Sequence, residues 1–211
     1  MGIIGVVAAL TLPTLISKHQ KKVVSARLKI AYSQLYQALQ TAQAEYGDYS
    51  GWSEADSGFK VNDIQDTEFV KVFVDKYIAP YLKLTEPPKR ATLYDIGYKN
   101  GIYHYTPSYY HYYFAELANG TTLIFGNNGD GKTGIMRMFI IIVDINGASG
   151  ENRFGHDMFA MMFNSRQGLF TGGENKTDSF VFQKCNDGDS MFYCTELLKR
   201  SGWEITKEYP W

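Results

Sequence analysis

The first 46 residues have one continuous helical pattern, and this long helix limits which folds the rest of the chain can adopt. Residues 2–16, GIIGVVAALTLPTLI, hold no charged side chain. From residue 24 onward, apolar residues recur at the spacing of one helix face: Val24, Leu28, Ala31, Leu35, Ala38, Leu39, Ala42 and Tyr46. Gly47 and Asp48 follow directly as a stop signal. We predict a helical unit over residues 1–47, apolar at 2–16 and amphipathic at 17–47.

A helix of about 45 residues is roughly 65 Å long, which is more than a domain of this size can cover. Its apolar end must therefore be buried in lipid or against other copies, although it is shorter than the roughly 20 residues needed to cross a bilayer. Pro13 removes one backbone hydrogen bond and is expected to kink or loosen the helix near Ala9. The residues predicted to form this assembly surface are Ile3, Ile4, Val6, Val7, Leu10, Leu12, Pro13 and Leu15.

The composition is that of a globular domain attached to this helix. The chain has 211 residues, of which 45% are hydrophobic and 20% are charged, enough to bury a core. Its formal net charge of −1 lacks the basic excess that is typical of nucleic-acid binding. We therefore expect no nucleic-acid partner.

The C-terminal half is patterned as strands. The segments YYHYYFAEL, TTLIFG, IMRMFIIIVDIN and DMFAMMF are rich in β-branched and aromatic residues. Asn119-Gly120 is a strong hairpin signal between the first two segments. We predict an α+β fold in which the long N-terminal α-helix packs on a C-terminal antiparallel β-sheet.

The predicted globular domain, residues 48–211, has three parts. A connecting region of helix and loop covers 48–110, the antiparallel sheet covers 111–182, and a tail covers 183–211. Within the connecting region, residues 66–84 are predicted to form a helix that Pro80 ends or breaks.

Residues 126–134, GNNGDGKTG, match the phosphate-binding pattern G-x-x-x-x-G-K-[ST]. In a nucleotide site, Lys132 would reach the phosphates, Thr133 would hold a magnesium ion, and a helix would follow. Only GIMRM separates the motif from the next strand segment, whereas a crossover to a parallel strand takes a dozen or more residues. We interpret the motif as a turn between antiparallel strands and expect no nucleotide.

The loop DINGASGENRFGHD carries oxygen ligands that a hard cation accepts. Asp144, Asn146 and Asp157 form a weak calcium candidate if the loop folds back on itself. The loop departs from the EF-hand template, which has Asp or Asn and Gly where Ala148 and Ser149 stand. The alternative is that Asp144 and Asn146 make side-chain-to-backbone turn bonds, with an unusual φ at the glycine that follows. We expect no other cofactor.

The two cysteines, Cys185 and Cys194, lie close to the C-terminus and are separated by turn-forming residues. The histidines are scattered without zinc-ligand spacing, so we predict a disulfide, with two free thiols as the alternative. A disulfide would place the domain outside the cytoplasm. Beyond it we predict a short helix at Thr195–Arg200, ended at Gly202 and followed by a strand or extended segment.

The segment YKNGIYHYTPSYYHYYF contains a cluster of tyrosines. Such rings stack on sugars or line interfaces, and the residues of this possible ligand face are Tyr105, Tyr109, Tyr110 and Tyr112. The alternative is a strand edge and a loop packed against the helix. For catalysis, GASGE misses the G-x-S-x-G elbow by one residue and no H-E-x-x-H occurs. We predict no catalytic residue and no enzyme.

The segment IIGVVAALTLPTLISKHQKKVVSARLKIAYSQL resembles the N-terminal helix of type IV pilins and type II secretion pseudopilins, the prepilin-type cleavage and methylation proteins. Two further segments, VDINGASGENRFGHDMF and YCTELLKRSGWEITKEYPW, are similar to a pseudopilin-like branch, which tends to have proline where Glu151 stands. The resemblance implies a basic leader, a cleavage site, an N-methylated phenylalanine and an early glutamate upstream of Gly2. It also adds that some pseudopilins hold calcium in a loop.

This resemblance leads us to expect a structural subunit of a type IV pilus or type II secretion pseudopilus-like filament. Its partners would be other pilin or pseudopilin subunits, and before assembly its helix would lie in the inner membrane. Lys18, Lys21 and Lys22 would by themselves place the globular domain in the cytoplasm. The implied basic leader reverses this orientation, so we expect an extracytoplasmic domain and an extracellular or periplasmic filament. The alternative is an anchored surface binding module, a minor pilin or adhesin, whose tyrosine-rich face holds a glycan or a secreted substrate.

Overall fold

The computed structural model of the chain describes residues 2–52, 67–98, 111–128, 138–187 and 191–211, with side chains of the first helix described from Leu12 onward. The first element, α1, is a single helix over Gly2–Tyr46 that continues through Pro13. Gly47 follows with φ +84°, a left-handed conformation that ends the helix. The predicted long helix and its end are therefore confirmed.

Within the described residues, one sheet of six strands forms: β1 Lys89–Thr92, β2 His111–Glu116, β3 Thr122–Asn128, β4 Met138–Asp144, β5 Met158–Asn164 and β6 Gly168–Phe170. They lie in chain order and every neighbouring pair is antiparallel. Gly120 has φ +80°, and the Leu117 N–H donates to the Thr121 carbonyl oxygen at 2.9 Å, which closes the predicted hairpin between β2 and β3. The α+β fold class is confirmed.

The bounds predicted for the sheet were wrong at both ends. β1 lies inside the region predicted as helix and loop, and β6 ends at Phe170 rather than near residue 182. The sequence of β1, KRAT, has no alternating apolar pattern, because this edge strand leaves Lys89 and Arg90 exposed. The register of the antiparallel ladder, from Lys89 opposite Phe114 to Thr92 opposite His111, defines the strand.

The described residues also form four shorter α-helices: α2 Thr67–Tyr77, α3 Leu93–Ile96, α4 Asp178–Asn186 and α5 Tyr193–Arg200. The helix predicted within residues 66–84 is α2, which ends at Tyr77 and is followed by a 3₁₀ turn over Ala79–Tyr81, so the predicted break at Pro80 is confirmed. Pro80 lies in this turn; it lacks an N–H, and its ring would clash with the carbonyl one helical turn earlier. The helix predicted at Thr195–Arg200 is α5, which begins two residues earlier.

Helices α1 and α2 cover one face of the sheet. The predicted stripe of α1 is buried in the core at Leu28, Ala31, Leu35, Ala38, Leu39 and Ala42, whereas Val24 is half-buried and Tyr46 is exposed. From α2, the Phe73 ring stacks on Phe139 of β4 with centroids 3.9 Å apart. The predicted packing of α1 on the sheet is therefore confirmed, with Tyr46 as the exception beyond the edge of the core.

The opposite face of the sheet has its own apolar cluster. Phe114, Ile124 and Ile142 from the strands pack with Leu93 and Tyr98 of the segment around α3. Because both faces are covered, every residue of β5 is buried. This explains why β5 is continuously apolar from Met158 to Phe163 rather than alternating.

Candidate assembly surface and the loops around it

The N-terminal part of α1 extends beyond the core of the domain. Leu12, Leu15 and Ile16 expose 54%, 61% and 55% of their surface, whereas Leu28 and Leu35 on the same helix are fully buried. Pro13 is exposed as well. The side chains of Ile3, Ile4, Val6, Val7 and Leu10, which belong to the predicted assembly surface, lie outside those that the structure describes. Apolar residues exposed side by side on one helix are typical of a surface that a partner covers.

Among the described residues, no helix combines the length and the apolar character needed to span a membrane.

From Lys21 onward, side chains of helix α1 contact the globular domain. Ser25 donates a hydrogen bond to the carbonyl oxygen of Trp203, and Arg27 Nη1 donates to the carbonyl oxygen of Ile145 at 2.9 Å. The Tyr32 ring lies 5.1 Å from the Trp203 ring. The Lys21 ammonium lies 5.1 Å from the centroid of the Trp211 ring. These contacts place the C-terminal tail beside the point where α1 leaves the globular domain.

The predicted disulfide is confirmed. Cys185 of α4 and Cys194 of α5 are bonded, with their Cα atoms 4.8 Å apart, and both residues are buried. A loop of this length contributes about 2–3 kcal/mol in the chain-entropy model. The bridge holds α4 and α5 together and so fixes where the tail begins.

The tail turns back toward α1 through a Schellman motif at the end of α5. The Trp203 N–H donates to the Leu198 carbonyl oxygen at 2.7 Å, and the Gly202 N–H donates to the Lys199 carbonyl oxygen at 3.2 Å. Gly202 has φ +70°, as the motif requires. The predicted helix end at Gly202 is confirmed. A strand or extended segment was predicted to follow; residues 201–211 form no strand and consist of turns, bends and irregular backbone.

A buried ion pair also holds α5, and the sequence analysis missed it. Glu196 is buried, and its Oε1 lies 2.6 Å from Arg200 Nε. Glu196 also accepts a hydrogen bond from Thr171, just after β6. The spacing of four residues between Glu196 and Arg200 is the signal that could have revealed the pair.

The calcium candidates do come together in one loop. Asp144 Oδ1 accepts the N–H groups of Asn146 at 3.1 Å and Gly147 at 2.9 Å, and Oδ2 accepts the Tyr98 hydroxyl at 2.5 Å. Gly147 has φ +71°. Burial raises the pKa of the Asp144 carboxyl. The side-chain-to-backbone bonds of Asp144 and the positive φ of Gly147 are the turn structure that was predicted as the alternative to a calcium site.

Asp157 lies in the same loop. Its Oδ1 accepts the Arg153 N–H at 2.7 Å, and its Oδ2 accepts the Asn152 N–H at 2.9 Å. A Cβ built on Gly150 would lie 2.4 Å from the amide of Asn146 and 2.5 Å from Asp157 Oδ2, so only glycine fits there. Every carboxylate oxygen of Asp144 and Asp157 thus already accepts a hydrogen bond. Within the described part of the chain, no three His, Cys, Asp or Glu residues form a metal-binding group.

The nucleotide-like motif begins inside a strand. Gly126 belongs to β3 and lies opposite Ile140 of β4 in an antiparallel register. Lys132 and Thr133 fall outside the described residues. The predicted antiparallel pairing on the two sides of the motif is confirmed, whereas a phosphate-binding loop leads through a helix to a parallel strand.

The tyrosine face is described in part. Tyr105, Tyr109 and Tyr110 lie outside the described residues, and Tyr112 is half-buried in β2. Its ring lies against Gly126 of β3, 3.3 Å from where a Cβ would stand. The neighbouring Tyr113 faces the helices and donates its hydroxyl to Asp75 Oδ1 at 2.7 Å.

A groove of about 430 Å³ lies beside the exposed end of α1. Its helix side carries Lys18, Lys21, Lys22 and Lys29, and its other side is formed by residues 202–205 of the tail. Three of these lysines entered the prediction of orientation, but the groove itself could not be predicted, because the tail reaches it only through the fold.

Comparison with known proteins gives one family. The model of a family of unknown function, DUF6613, matches residues 14–211. No curated protein and no solved structure matches the chain. The match extends from the exposed part of α1 through the sheet to the last residue of the tail. This chain therefore belongs to the DUF6613 family.

Proposed function

We propose that this chain is a structural subunit of a type IV pilus or type II secretion pseudopilus-like filament. One observation carries the proposal: α1 is buried on the sheet from Leu28 to Ala42, while Leu12, Leu15 and Ile16 are more than half exposed. A helix that packs only on its own domain would end at the edge of that domain. The exposed end is available to lipid before assembly and to neighbouring helices afterwards.

A further exposed apolar residue lies on the same side of α1. Leu12 and Ile30 are separated by five full turns at 3.6 residues per turn, so they share one face, and Ile30 is 47% exposed. The core residues Leu28 and Leu35 lie roughly 140–160° around the helix from this face. Burying a large aliphatic side chain completely contributes about 1.5–3 kcal/mol. Packing these exposed residues between subunits therefore favours assembly.

The same segment suits a membrane before assembly. Residues 2–16 carry no charge, and 15 helical residues extend about 22 Å, which is most of the roughly 30 Å of hydrocarbon in a bilayer. Insertion of this end keeps the globular domain at the surface, on the extracytoplasmic side in the orientation that the resemblance implies. The buried disulfide of the domain supports an oxidising compartment.

The test replaces exposed apolar residues with aspartate in cells that make the filament. We expect Leu12→Asp with Leu15→Asp to lower the amount of subunit in sheared filaments at least about tenfold, since a charge at a helix interface or in lipid costs several kcal/mol. The control variant, Val72→Asp with Tyr94→Asp, changes two exposed apolar residues of the globular domain. Incorporation of the Leu12 and Leu15 variant at the control level would refute the filament role.

A further inference from the structure

The groove beside α1 concentrates positive charge. Lys18, Lys22 and Lys29 lie within about 40° of one another around the helix at 100° per residue, and all three are exposed. Among the described residues, no carboxylate pairs with these three lysines. Glu204 is the one acidic residue that lines the groove. The groove therefore attracts anions.

Two tryptophans of the tail lie close to the lysines of α1. Trp203 lines the groove, with its backbone held by Ser25 and by the Schellman motif. Trp211 lies under the ammonium group of Lys21. Trp203 has φ +67°, a left-handed conformation that is strained for a non-glycine residue, and strain of this kind concentrates at functional sites.

The position of the groove along α1 identifies the anion. Lys18 follows the exposed Ile16 by two residues, so the charge begins about 3 Å along the helix axis beyond the apolar end. In a bilayer, a headgroup layer of roughly 6 Å follows the hydrocarbon core in the same way. Lysine and tryptophan are the residues that anchor proteins in this layer.

We propose that this groove binds the phosphate groups of anionic phospholipids in the leaflet that α1 enters. The lysines contact the phosphates, the two indoles lie at the level of the headgroups, and the domain rests on the membrane in one orientation. The inference rests on the membrane-inserted stage of the proposed function. The lysines lie about 100° around the helix from Leu12 and Ile30 and about 120–160° from Ile16, so lipid contact leaves these three apolar residues open, whereas Leu15 lies within about 60° of the lysines.

The test measures binding of the full chain to two kinds of vesicle, phosphatidylcholine alone and phosphatidylcholine with phosphatidylglycerol, at low and high salt. The groove variant is Lys18→Gln, Lys22→Gln and Lys29→Gln. Lys21 is kept because of its contact with Trp211. The control variant is Lys83→Gln, Lys89→Gln and Lys176→Gln, which removes the same charge at exposed positions elsewhere.

We expect the groove variant to bind phosphatidylglycerol vesicles on the order of 100-fold more weakly than the wild type at low salt, because each lysine near an anionic surface contributes about 1 kcal/mol. High salt should reduce this difference, and the control variant should stay within about threefold of the wild type. An equal loss in both variants, or none in the groove variant, would overturn the inference.

Vesicles of phosphatidylcholine alone separate this inference from the function on which it rests. Their binding reports insertion of the apolar end of α1, which the groove variant leaves unchanged. If the chain fails to bind them while the groove variant still loses binding to phosphatidylglycerol, the membrane anchor is refuted and the lipid-binding groove stands. Matching thermal unfolding of both variants and the wild type establishes that the folds are intact.

Discussion

Arg200 Nε lies 2.6 Å from Glu196 Oε1, one helical turn away on α5, and only 6% of the Glu196 side chain is exposed. The same guanidinium group reaches across to the loop after β6, where Nη2 donates to the carbonyl oxygens of Gly173 at 2.9 Å and Lys176 at 3.0 Å. Arg200 thus neutralises a buried carboxylate and satisfies carbonyl groups that belong to another part of the fold.

Replacing Arg200 with methionine should destabilise the domain strongly. The change removes the cation closest to the buried Glu196 carboxylate and leaves only Lys199, whose ammonium lies 3.9 Å away; breaking a buried pair in this way costs about 3–5 kcal/mol of unfolding free energy. Lys89→Met is the matched control: its partner Glu86 is 50% exposed, and a solvated pair of this kind contributes about 1 kcal/mol or less. Urea unfolding measures both losses. Equal losses in the two variants would contradict the special role of the buried pair.

Removing the disulfide should lower the unfolding free energy by less than the Arg200→Met change does. For the double variant Cys185→Ser and Cys194→Ser we expect a loss of about 2–3 kcal/mol, because the unfolded chain regains the freedom of the closed loop. A reductant should lower the stability of the wild type similarly and leave the double variant unchanged. A wild type that unfolds at the same urea concentration with and without reductant would argue against this contribution.

His156 should make stability depend on pH. Its side chain is buried against the Trp211 ring, with centroids 4.8 Å apart, and burial, followed by the charge of Arg153, lowers its pKa. The unfolded chain binds the proton more readily, with a pKa of about 6.5. The stability from neutral His156 is therefore complete above that value and is lost as the pH falls toward the folded-state pKa.

The measurement is the melting temperature between neutral pH and about pH 5. We expect the wild type to lose melting temperature on acidification and His156→Phe, which keeps a ring against Trp211, to lose less. His19→Phe, at an exposed position of α1, should behave as the wild type does. A His156→Phe profile parallel to that of the wild type would rule out this linkage.

The loop of Asp144 and Asp157 allows a direct calcium test. Because all four carboxylate oxygens accept hydrogen bonds from the protein, we expect millimolar calcium to leave the melting temperature unchanged. Asp144→Asn should lower it with or without calcium, since the buried turn loses charge-assisted bonds of about 1.5–3 kcal/mol each. A calcium-dependent rise that Asp157→Asn abolishes would instead establish the metal site.

Local patterns account for what could be predicted. The apolar stripe from Leu28 to Ala42 can be predicted from the sequence because the helix repeat brings residues three and four positions apart to one face. The hairpin at Asn119-Gly120 and the end of α5 at Gly202 are visible because a positive φ favours particular residue types. The apolar runs of β4 and β5 are visible because both faces of these strands are buried.

The features that could not be predicted from the sequence depend on contacts between residues far apart in the chain. Nothing in the sequence KRAT indicates β1, which is a strand because of its partner β2. Tyr112 and Tyr113 are adjacent and identical in type, yet they point to opposite faces and differ in burial. Only the register of β2 between its neighbours assigns the faces, since a shift of one residue would exchange them.

The sequence by itself determined the long helix, the antiparallel sheet and the cysteine pair, because helix periodicity, strand composition and turn residues act over a few positions. The tertiary structure alone decided where α1 leaves the domain, which carboxylates are buried with partners, and that the tail closes a basic groove with Lys18, Lys21, Lys22 and Lys29. Ser25 and Trp203 are 178 positions apart, and they meet because two chain segments far apart in sequence bury their apolar faces in the same core.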